Sequence, residues 1–283
     1  MTNSKTLFGE LVASVNVQID NAEIRSIVYL LLEKVGISHA DIAAEKEVQL
    51  TDNQLMQLRR WIKRVNAEEP VQYILGETEF YGRRFKVNRD VLIPRPETEE
   101  LVRAALHLVR HLDSPQVVDI GTGSGCIATT LSLERRDARV TGTDISAEAL
   151  AVAMENAETL KASVTFTLTD ILANEFPFTE LDMIISNPPY ITPPEAAAMS
   201  KGVVDYEPHL ALFTPSEDPL AFYRAILSHA RHSARPGGMV IVEVNEQHAQ
   251  DIADLFRAND LTGVEVLTDI FGKDRIVHGV LSV

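Results

Sequence analysis

The run Ser186-Asn187-Pro188-Pro189-Tyr190 combines groups that can hold a planar amino group. The nitrogen of an NH₂ group conjugated to a carbonyl or an aromatic ring is a poor nucleophile, because its lone pair is delocalised. An enzyme can direct such a nitrogen towards an electrophile by accepting both of its N–H protons. We predict that the side-chain oxygen of Asn187 and the main-chain oxygen of Pro188 are these acceptors. Two consecutive prolines, Pro188 and Pro189, fix the backbone there, and Tyr190 can stack on the planar group.

A glycine-rich turn lies upstream of this run. An apolar strand pattern, residues 117–120, leads directly into Gly121-Thr122-Gly123-Ser124-Gly125. Glycines at such a turn allow a sharp bend and a close approach of the backbone to a ligand. A dinucleotide fingerprint would have its third glycine at position 126, where this chain has Cys126. The pattern resembles instead the first motif of Rossmann-like methyltransferases that bind S-adenosylmethionine, so we expect Gly121, Thr122, Gly123, Ser124 and Gly125 to bind that cofactor.

Acidic residues follow the next two predicted strands. Asp144 ends the first of these, where a carboxylate can accept hydrogen bonds from ribose hydroxyls in dinucleotide and adenosylmethionine sites alike. Asp144 therefore indicates a nucleoside without selecting the ligand. The resemblance to these methyltransferases implies that Asp170 accepts from the exocyclic amine of adenine and that Ile171 covers the ring. Taken alone, an aspartate such as Asp170 is more often a loop carboxylate or a helix cap, so this assignment depends on the glycine-rich turn and Asp144.

Short apolar runs alternate with helical patterns after residue 94. The predicted strands are 116–120, 139–143, 164–169, 181–186, 239–244, 264–267 and 275–281, and the predicted helices are 125–135, 146–160, 218–233 and 246–259. Strands that alternate with helices predict right-handed crossovers and a mostly parallel sheet covered on both faces. We therefore predict an α/β fold with a seven-stranded, mostly parallel sheet, and the resemblance of the glycine-rich turn implies that it is of the Rossmann-like class I methyltransferase type.

The first seventy residues have the spacing of helices instead. Apolar residues from Ile24 to Val35 recur at helical intervals, and Thr51 with Gln54 forms a capping-box pattern that begins a second helix. Aromatic and β-branched residues between glycines at 71–93 predict a β-hairpin. We predict three regions, namely a helical substrate-docking domain over 1–75, a β-hairpin linker over 76–93 and the methyltransferase domain over 94–283.

The charge is strongly negative and unevenly distributed. The 283 residues include 26 Lys and Arg against 41 Asp and Glu, a net charge of −15. Residues 1–93 contain 12 basic and 13 acidic side chains, and the remaining residues contain 14 and 28. This acidity argues against broad attraction to nucleic acid or to anionic membranes, so we expect neither partner. An exception is the basic cluster of Arg59, Arg60, Lys63 and Arg64, which is either a solvated helix face or a docking surface for an acidic partner.

Other composition signals exclude several classes. One cysteine, Cys126, cannot form an intramolecular disulfide, which suits a reducing compartment. The first twenty residues lack the pattern of a secretory signal, and no apolar run approaches the roughly 18 residues that span a bilayer. We therefore expect a cytoplasmic protein. The eight histidines show no paired metal-ligand spacing, so we expect no metal site.

Taken together, the motifs resemble the release factor glutamine methyltransferase family, also called PrmC or HemK. The resemblance rests on the glycine-rich turn, Asn187-Pro188-Pro189-Tyr190, Ile93-Pro94-Arg95-Pro96-Glu97-Thr98-Glu99, Pro70-x-Gln72-Tyr73-Ile74-x-Gly76 and Tyr206-Glu207-Pro208 before Ala211-Leu212. It implies methyl transfer from S-adenosyl-L-methionine, leaving S-adenosyl-L-homocysteine, to the glutamine side-chain nitrogen in a Gly-Gly-Gln loop of class 1 peptide chain release factors. It also implies that Asn187, Pro188, Pro189 and Tyr190 hold the glutamine amide. Asn187, Pro188 and Tyr190 would be catalytic, and Asn187 would also contact the cofactor.

The chain departs from the family pattern at three positions. Ile171 stands where family members often have an aromatic residue, which predicts weaker stacking on adenine. Pro219 replaces a glycine that the family has after Asp218, and Val244-Asn245 replaces Ile-Gly. All three positions lie outside the transfer motif of residues 187–190.

Other functions match part of the pattern. An adenine-N6 DNA or RNA methyltransferase shares the Asn-Pro-Pro-Tyr tetrapeptide, because adenine N6 is also a planar NH₂ group. Against it stand the acidity of residues 94–283 and the lack of an evident basic target-recognition domain. A non-catalytic binding module would not need the paired acceptors, and an NAD-dependent dehydrogenase conflicts with the glycine spacing. We expect a monomer whose basic cluster docks a release factor and places its loop over Tyr190.

Overall fold

The protein is described by a computed structural model that covers residues 1–173 and 176–282. Residues 1–76 contain β1 (Thr2–Asn3), α1 (Ser4–Ser14), α2 (Asn21–Lys34), α3 (His39–Ala43), β2 (Glu47–Val48), α4 (Asp52–Val65) and α5 (Val71–Leu75). The elements that follow as far as residue 168 are β3 (Glu77–Phe80), β4 (Arg83–Lys86), α6 (Thr98–Leu108), β5 (Gln116–Ile120), α7 (Cys126–Glu134), β6 (Arg139–Asp144), α8 (Ala147–Leu160) and β7 (Val164–Leu168). The remaining elements are β8 (Leu181–Ser186), α9 (Lys201–Tyr206), α10 (His209–Leu212), α11 (Ala221–Ser233), β9 (Ala234–Glu243), α12 (Ala249–Ala258), β10 (Leu261–Thr268) and β11 (Asp274–Leu281), with 3-10 helices at Pro193–Ala198 and Glu246–His248.

The chain divides into two compact units. Residues 1–76 form the first unit together with residues 200–206, which contain α9. Within it, the hydroxyl of Tyr206 donates to Ala67 O at 2.8 Å. The capping box predicted for α4 is confirmed, because Gln54 N donates to Thr51 Oγ1 while Gln54 Oε1 accepts from Thr51 N. The helices bury one apolar core, with Leu31, Leu32 and Leu58 at its centre.

The second unit is built on a seven-stranded sheet in the order β10-β11-β9-β8-β5-β6-β7. Strands β5 to β9 pair in parallel, whereas β10 and β11 are antiparallel. Apolar residues of α6 and α7 pack on one face of the sheet, and those of α11 and α12 pack on the other. Every residue of β8 is buried, as expected of a strand covered on both faces. This confirms the predicted α/β fold with its mostly parallel sheet.

The predicted β-hairpin is present, but it is shorter than residues 71–93, from which it was predicted. Its strands, β3 and β4, pair antiparallel over residues 77–86. Residues 71–75 are the helix α5, because Pro70 precedes it and Gly76, with φ of +75°, ends it. Val71, Tyr73 and Ile74 on this helix are buried, so tertiary packing outweighs their β propensity.

Two further differences concern element boundaries. The helix predicted over 218–233 begins at Ala221, and residues 219 and 220 form a turn before it. Strand β9 begins at Ala234 rather than at 239, and Arg235 on this added segment forms an ion pair with the buried Asp182 of β8. In the described residues, no helix has the length and apolar character needed to cross a membrane.

A buried carboxyl group lies inside the sheet at Asp119 of β5. Its Oδ2 accepts from the Thr122 hydroxyl at 2.6 Å and from Ala128 N at 3.2 Å. Its Oδ1 is buried with no hydrogen-bond partner among the described residues. Burial removes the solvation that a carboxylate has in water, and it raises the pKa of Asp119 to about 7.

This shift predicts that stability depends on pH. Because the folded pKa lies above the ordinary value of 3.8, the stabilising contribution is fully present below that value and is lost as the pH rises through 7. We expect the Tm of the wild type to fall between about pH 5 and pH 7 and to level off above that range, and Asp119→Asn to reduce this fall by roughly half. The variant keeps an oxygen for Thr122 and Ala128 but has no charge. Thermal unfolding followed by circular dichroism measures the effect.

Glu243 accounts for most of the remainder of the expected fall, since burial also raises its pKa to about 7, and Asp144 contributes in the same direction. Equal pH slopes in the wild type and in Asp119→Asn would contradict the assignment to Asp119. Asp113→Asn is the matched control, because Asp113 is exposed and the same amide replacement there should leave the slope unchanged.

Candidate active site

A cavity of about 370 Å³ lies at the carboxyl edge of the sheet in the second unit. Strands β5, β6, β7 and β8 run parallel, so the loops that follow them meet at this edge. The volume is that of a small-molecule site. The predicted site residues that line it are Gly121, Gly123, Asp144, Asp170, Ile171, Asn187, Pro188 and Pro189.

Four of the predicted residues lie outside this lining and support it instead. The hydroxyl of Thr122 is turned inward to Asp119, and Ser124 is buried. Gly125 begins α7 so close to α8 that a Cβ on it would lie 2.9 Å from the Cβ of Ala153. Tyr190 packs against the apolar core between the sheet and α11.

The backbone of the glycine-rich turn has a conformation that favours glycine. Gly121, Gly123 and Gly125 have φ of +70°, +54° and +76°. Gly123 N donates to Asp144 Oδ2 at 2.9 Å, and Ser146 N donates to Asp144 Oδ1 at 3.0 Å. Asp144 therefore connects the first two loops of the site, and burial raises its pKa above the ordinary value.

Asn156 of α8 also holds the turn, although it belongs to no recognisable sequence motif. Its Nδ2 donates to Ser124 O at 2.9 Å and to Lys86 O at 3.0 Å, and its Oδ1 accepts from Lys86 N at 2.7 Å. One buried amide thus joins the glycine-rich turn to the end of the β-hairpin. An asparagine within a helical pattern carries no signal of such a role.

The loop after β7 is held by a histidine of α11. His229 Nε2 lies 3.0 Å from Ile171 O and 3.1 Å from Ala173 O. Since both partners are acceptors, Nε2 must bear the proton. Ile171 is buried, whereas Asp170 is exposed and its Oδ1 accepts from Leu172 N at 2.8 Å. The pair therefore presents an apolar surface next to a carboxylate at the cavity.

The two predicted acceptors lie where the chain leaves β8. The hydroxyl of Ser186 donates to Ile120 O at 2.7 Å and joins this strand end to β5. Asn187 Nδ2 donates to the hydroxyl oxygen of Thr98 at 3.2 Å. Neither Asn187 Oδ1 nor Pro188 O accepts a hydrogen bond from the residues that the structure describes. Both oxygens are therefore available to a ligand with two N–H groups.

Tyr190 has a phenol that stays protonated. Burial raises its pKa to about 12, and the nearby carboxyl of Glu243 acts in the same direction. Arg275 and Arg95 oppose this shift. At neutral pH the Tyr190 hydroxyl is therefore not a base, and its ring packs against the core and not in the cavity lining.

Two of the sequence motifs that resemble the methyltransferase family, residues 93–99 and 206–208, are in contact at Glu207. Its carboxyl is buried, and its two oxygens accept from Ile93 N at 3.2 Å and from Arg95 Nη2 at 2.6 Å. The run of residues 93–99 is thereby attached to the segment that leads into α10. This contact positions Thr98, the first residue of α6.

The His, Cys, Asp and Glu side chains were also considered as metal ligands, and Cys126 as a nucleophile. Among the described residues, no group of three or more His, Cys, Asp or Glu side chains is arranged to hold a metal ion. Cys126 is buried at the start of α7, and burial raises the pKa of its thiol to about 12. The thiol is therefore protonated at neutral pH and is not an activated nucleophile.

The lining suits a nucleoside cofactor. Gly121 and Gly123 present backbone without side chains, and a Cβ built on either would meet no atom within 4 Å. The Asp144 carboxylate is placed to accept from ribose hydroxyls, while Ile171 is placed to cover an apolar ring. These residues fit S-adenosylmethionine.

The chain matches two sequence families and has close relatives. Residues 98–203 match the Methyltransferase small domain, and residues 16–76 match the PrmC N-terminal domain. The release factor glutamine methyltransferase of Bacteroides thetaiotaomicron is 44% identical over 257 residues, which cover 90% of this chain and 92% of that relative. Proteins of the same name from Flavobacterium psychrophilum and Bacillus subtilis are 37% and 40% identical, over 97% and 89% of both chains respectively.

Among solved structures, the hMettl16 catalytic domain in complex with the MAT2A 3′UTR hairpin 1 superposes with a TM-score of 0.58. The superposition covers 97% of this chain and 90% of that one at 14% identity, so it supports the fold alone. The relatives, in contrast, share more than a third of their residues over nearly the whole chain. This protein is thus an S-adenosylmethionine-dependent methyltransferase, and it belongs to the release factor glutamine methyltransferase family.

Proposed function

We propose that this enzyme methylates the side-chain amide nitrogen of the glutamine in the Gly-Gly-Gln loop of class 1 peptide chain release factors. The relatives are named for a release factor and for glutamine. The observation that carries the proposal is the pair of available oxygens, Asn187 Oδ1 and Pro188 O, at the edge of the cavity. A primary amide offers two N–H groups in one plane, which is what two neighbouring acceptors can bind.

The acceptors explain how a weak nucleophile can react. Asn187 Oδ1 and Pro188 O each accept one N–H, and the amide is held with its nitrogen facing the methyl donor. When bound, S-adenosylmethionine supplies a methyl group on a positively charged sulfur. The two prolines restrict the backbone, so little reorganisation is needed. A strong base is not required, because the N–H proton becomes acidic once the nitrogen has accepted the methyl group.

The remaining lining residues hold the cofactor. Gly121 and Gly123 allow close approach of the backbone, and the Asp144 carboxylate accepts from the ribose hydroxyls. Asp170 and Ile171 receive the adenine, the first through its carboxylate and the second through its apolar side chain. Thr122, Ser124 and Gly125 stabilise the turn through contacts on the side that faces away from the cavity.

The substrate can be tested directly against the adenine-N6 alternative. Wild-type enzyme is incubated with labelled S-adenosylmethionine and either a class 1 release factor or duplex DNA. We expect label only on the release factor, and mass spectrometry should place the methyl group on the glutamine of the Gly-Gly-Gln peptide. Label on DNA with an unmodified release factor would overturn the proposal in favour of the adenine enzyme.

Removal of the side-chain acceptor tests the mechanism. Asn187→Ala should lower kcat for the release factor by at least about 100-fold, because one of the two hydrogen bonds to the reacting amide is lost. S-adenosylmethionine should still bind, as measured by calorimetry, because the glycine turn and Asp144 are unchanged. Asn21→Ala, at an exposed position of α2, is the control. Full activity of Asn187→Ala would exclude the proposed role.

The basic cluster is the proposed docking surface for the protein substrate. Arg59, Arg60 and Lys63 are exposed on α4. Arg64 differs, because its guanidinium forms a two-bond ion pair with the buried Glu69, at 2.7 and 2.8 Å, and also donates to Tyr73 O and Ile74 O. Arg64 therefore stabilises its own unit, and the test of docking leaves it unchanged.

Reversal of the three exposed charges tests docking. The triple variant Arg59→Glu, Arg60→Glu, Lys63→Glu should raise KM for an intact release factor by roughly tenfold and change kcat little, because these charges act on encounter and not on chemistry. With a short Gly-Gly-Gln peptide as substrate, KM should stay at the wild-type value.

The matched control reverses three exposed basic residues at the opposite, amino edge of the sheet, with the variant Arg136→Glu, Arg139→Glu, Lys161→Glu. It changes the net charge equally, so a similar KM effect in both variants would indicate nonspecific repulsion. An unchanged KM in the first variant would exclude the basic cluster as a docking surface.

A further inference from the structure

A chain of three hydrogen-bonding groups runs inward from the acceptor side of the site. Asn187 Nδ2 lies 3.2 Å from Thr98 Oγ1, and Thr98 Oγ1 lies 2.7 Å from Glu243 Oε2. Thr98 is 2% exposed and Glu243 is also 2% exposed, so water does not compete for these bonds. Thr98 begins α6, Asn187 follows β8 and Glu243 ends β9.

We propose that Thr98 is a positioning residue, which sets the orientation of the Asn187 amide so that its oxygen faces the substrate. The proposal rests on the proposed function, since it assigns the acceptor that the glutamine amide uses. It concerns a group that touches Asn187 and not the reacting atoms.

The directions of the hydrogen bonds follow from what each group can donate. A carboxylate only accepts, so Glu243 takes the single proton of the Thr98 hydroxyl. The Thr98 oxygen is then left with lone pairs towards Asn187, where it can only accept. Of the two ends of the Asn187 amide, only the NH₂ group can donate to it. Asn187 Oδ1 must therefore point away from Thr98.

The opposite orientation is disfavoured by electrostatics. If the amide were rotated by a half turn, Asn187 Oδ1 would face Thr98 Oγ1 at hydrogen-bonding distance without a proton between them. The NH₂ group would then face the substrate amide, whose reacting end also consists of N–H donors. Two donors facing each other cannot bond, so the substrate would lose one of its two acceptors.

The surroundings keep Thr98 and Glu243 in place. Arg95, which precedes α6, is paired with the buried Glu207 at 2.6 Å, and Thr98 N donates to Arg95 O at 3.1 Å. The main-chain oxygen of Glu243 accepts from the buried Tyr223 hydroxyl at 3.0 Å. Thr98 and Glu243 are thus both attached to the folded core.

Two substitutions at one position separate the hydroxyl from the shape of the side chain. Thr98→Val keeps the branched shape but has no hydroxyl, and Thr98→Ser keeps the hydroxyl but lacks the methyl group. The assay is run near pH 8, above the pKa of about 7 that burial gives Glu243, so that this group is a carboxylate. Substrates are a release factor and S-adenosylmethionine, with kcat, KM and cofactor affinity measured for each variant.

We expect Thr98→Val to lower kcat by about tenfold or more, because the Asn187 amide loses the partner that orients it. Affinity for S-adenosylmethionine should stay within about twofold of wild type, because the glycine turn and Asp144 are untouched. Thr98→Ser should retain kcat within about threefold of wild type, since the hydroxyl is restored.

The control is Thr130→Val, which removes a buried hydroxyl of α7 that has no hydrogen-bond partner among the described residues. It should leave kcat unchanged, and Tm values of all variants show that each is folded. Wild-type kcat in Thr98→Val would overturn the proposal, as would equal losses in Thr98→Val and Thr98→Ser, which would indicate packing alone. If the wild type itself leaves the glutamine unmethylated, the proposed function fails instead.

Discussion

The parallel pairing of β5 with β6 on one side and with β8 on the other is the constraint on which the site depends. It places the ends of three strands, and hence Gly121, Asp144 and Asn187, at one edge. The pairing is stabilised by burial of apolar residues on both faces, since β5 and β8 are buried along nearly their whole length. Hydrogen bonds then set the detail, with Gly123 N and Ser146 N on Asp144 and the Ser186 hydroxyl on Ile120 O.

Much of the fold could be predicted because its signals are local. The strand and helix patterns after residue 115 depend on the spacing of apolar residues, and the capping box of α4 depends on Thr51 and Gln54 alone. The short elements were not predicted. Helices α3 and α5 have five residues each, too few to show a period, and α5 is made of residues with strand propensity. Their conformation is decided by burial against partners that are distant in sequence.

Site residues likewise fall into those that the sequence predicts and those that it does not. Residues of the glycine turn and of Asn187-Pro188-Pro189-Tyr190 are recognisable because each motif is contiguous. Their supporting residues are not, since Thr98 reaches Asn187 across 89 positions and Glu243 across 145. Asn156 and His229 act through main-chain carbonyls, and a single sequence contains no record of which carbonyl lies opposite a side chain. Only the folded sheet brings these partners together.

Some of the acidic residues of 94–283 make hydrogen bonds within the protein. Asp144, Glu207 and Glu243 each accept from donors of neighbouring segments at the carboxyl edge of the sheet. An ionised carboxyl group accepts only, so in that form each one determines the direction of every hydrogen bond that it makes. The donors of the protein are thus directed inward, towards these anchors. The oxygens of Asn187 and Pro188 accept no such donor, as the proposed binding of an NH₂ group requires. In the proposed function, negative charge at this edge therefore does more than repel polyanions, because through Thr98 it orients the Asn187 amide with its oxygen towards the substrate.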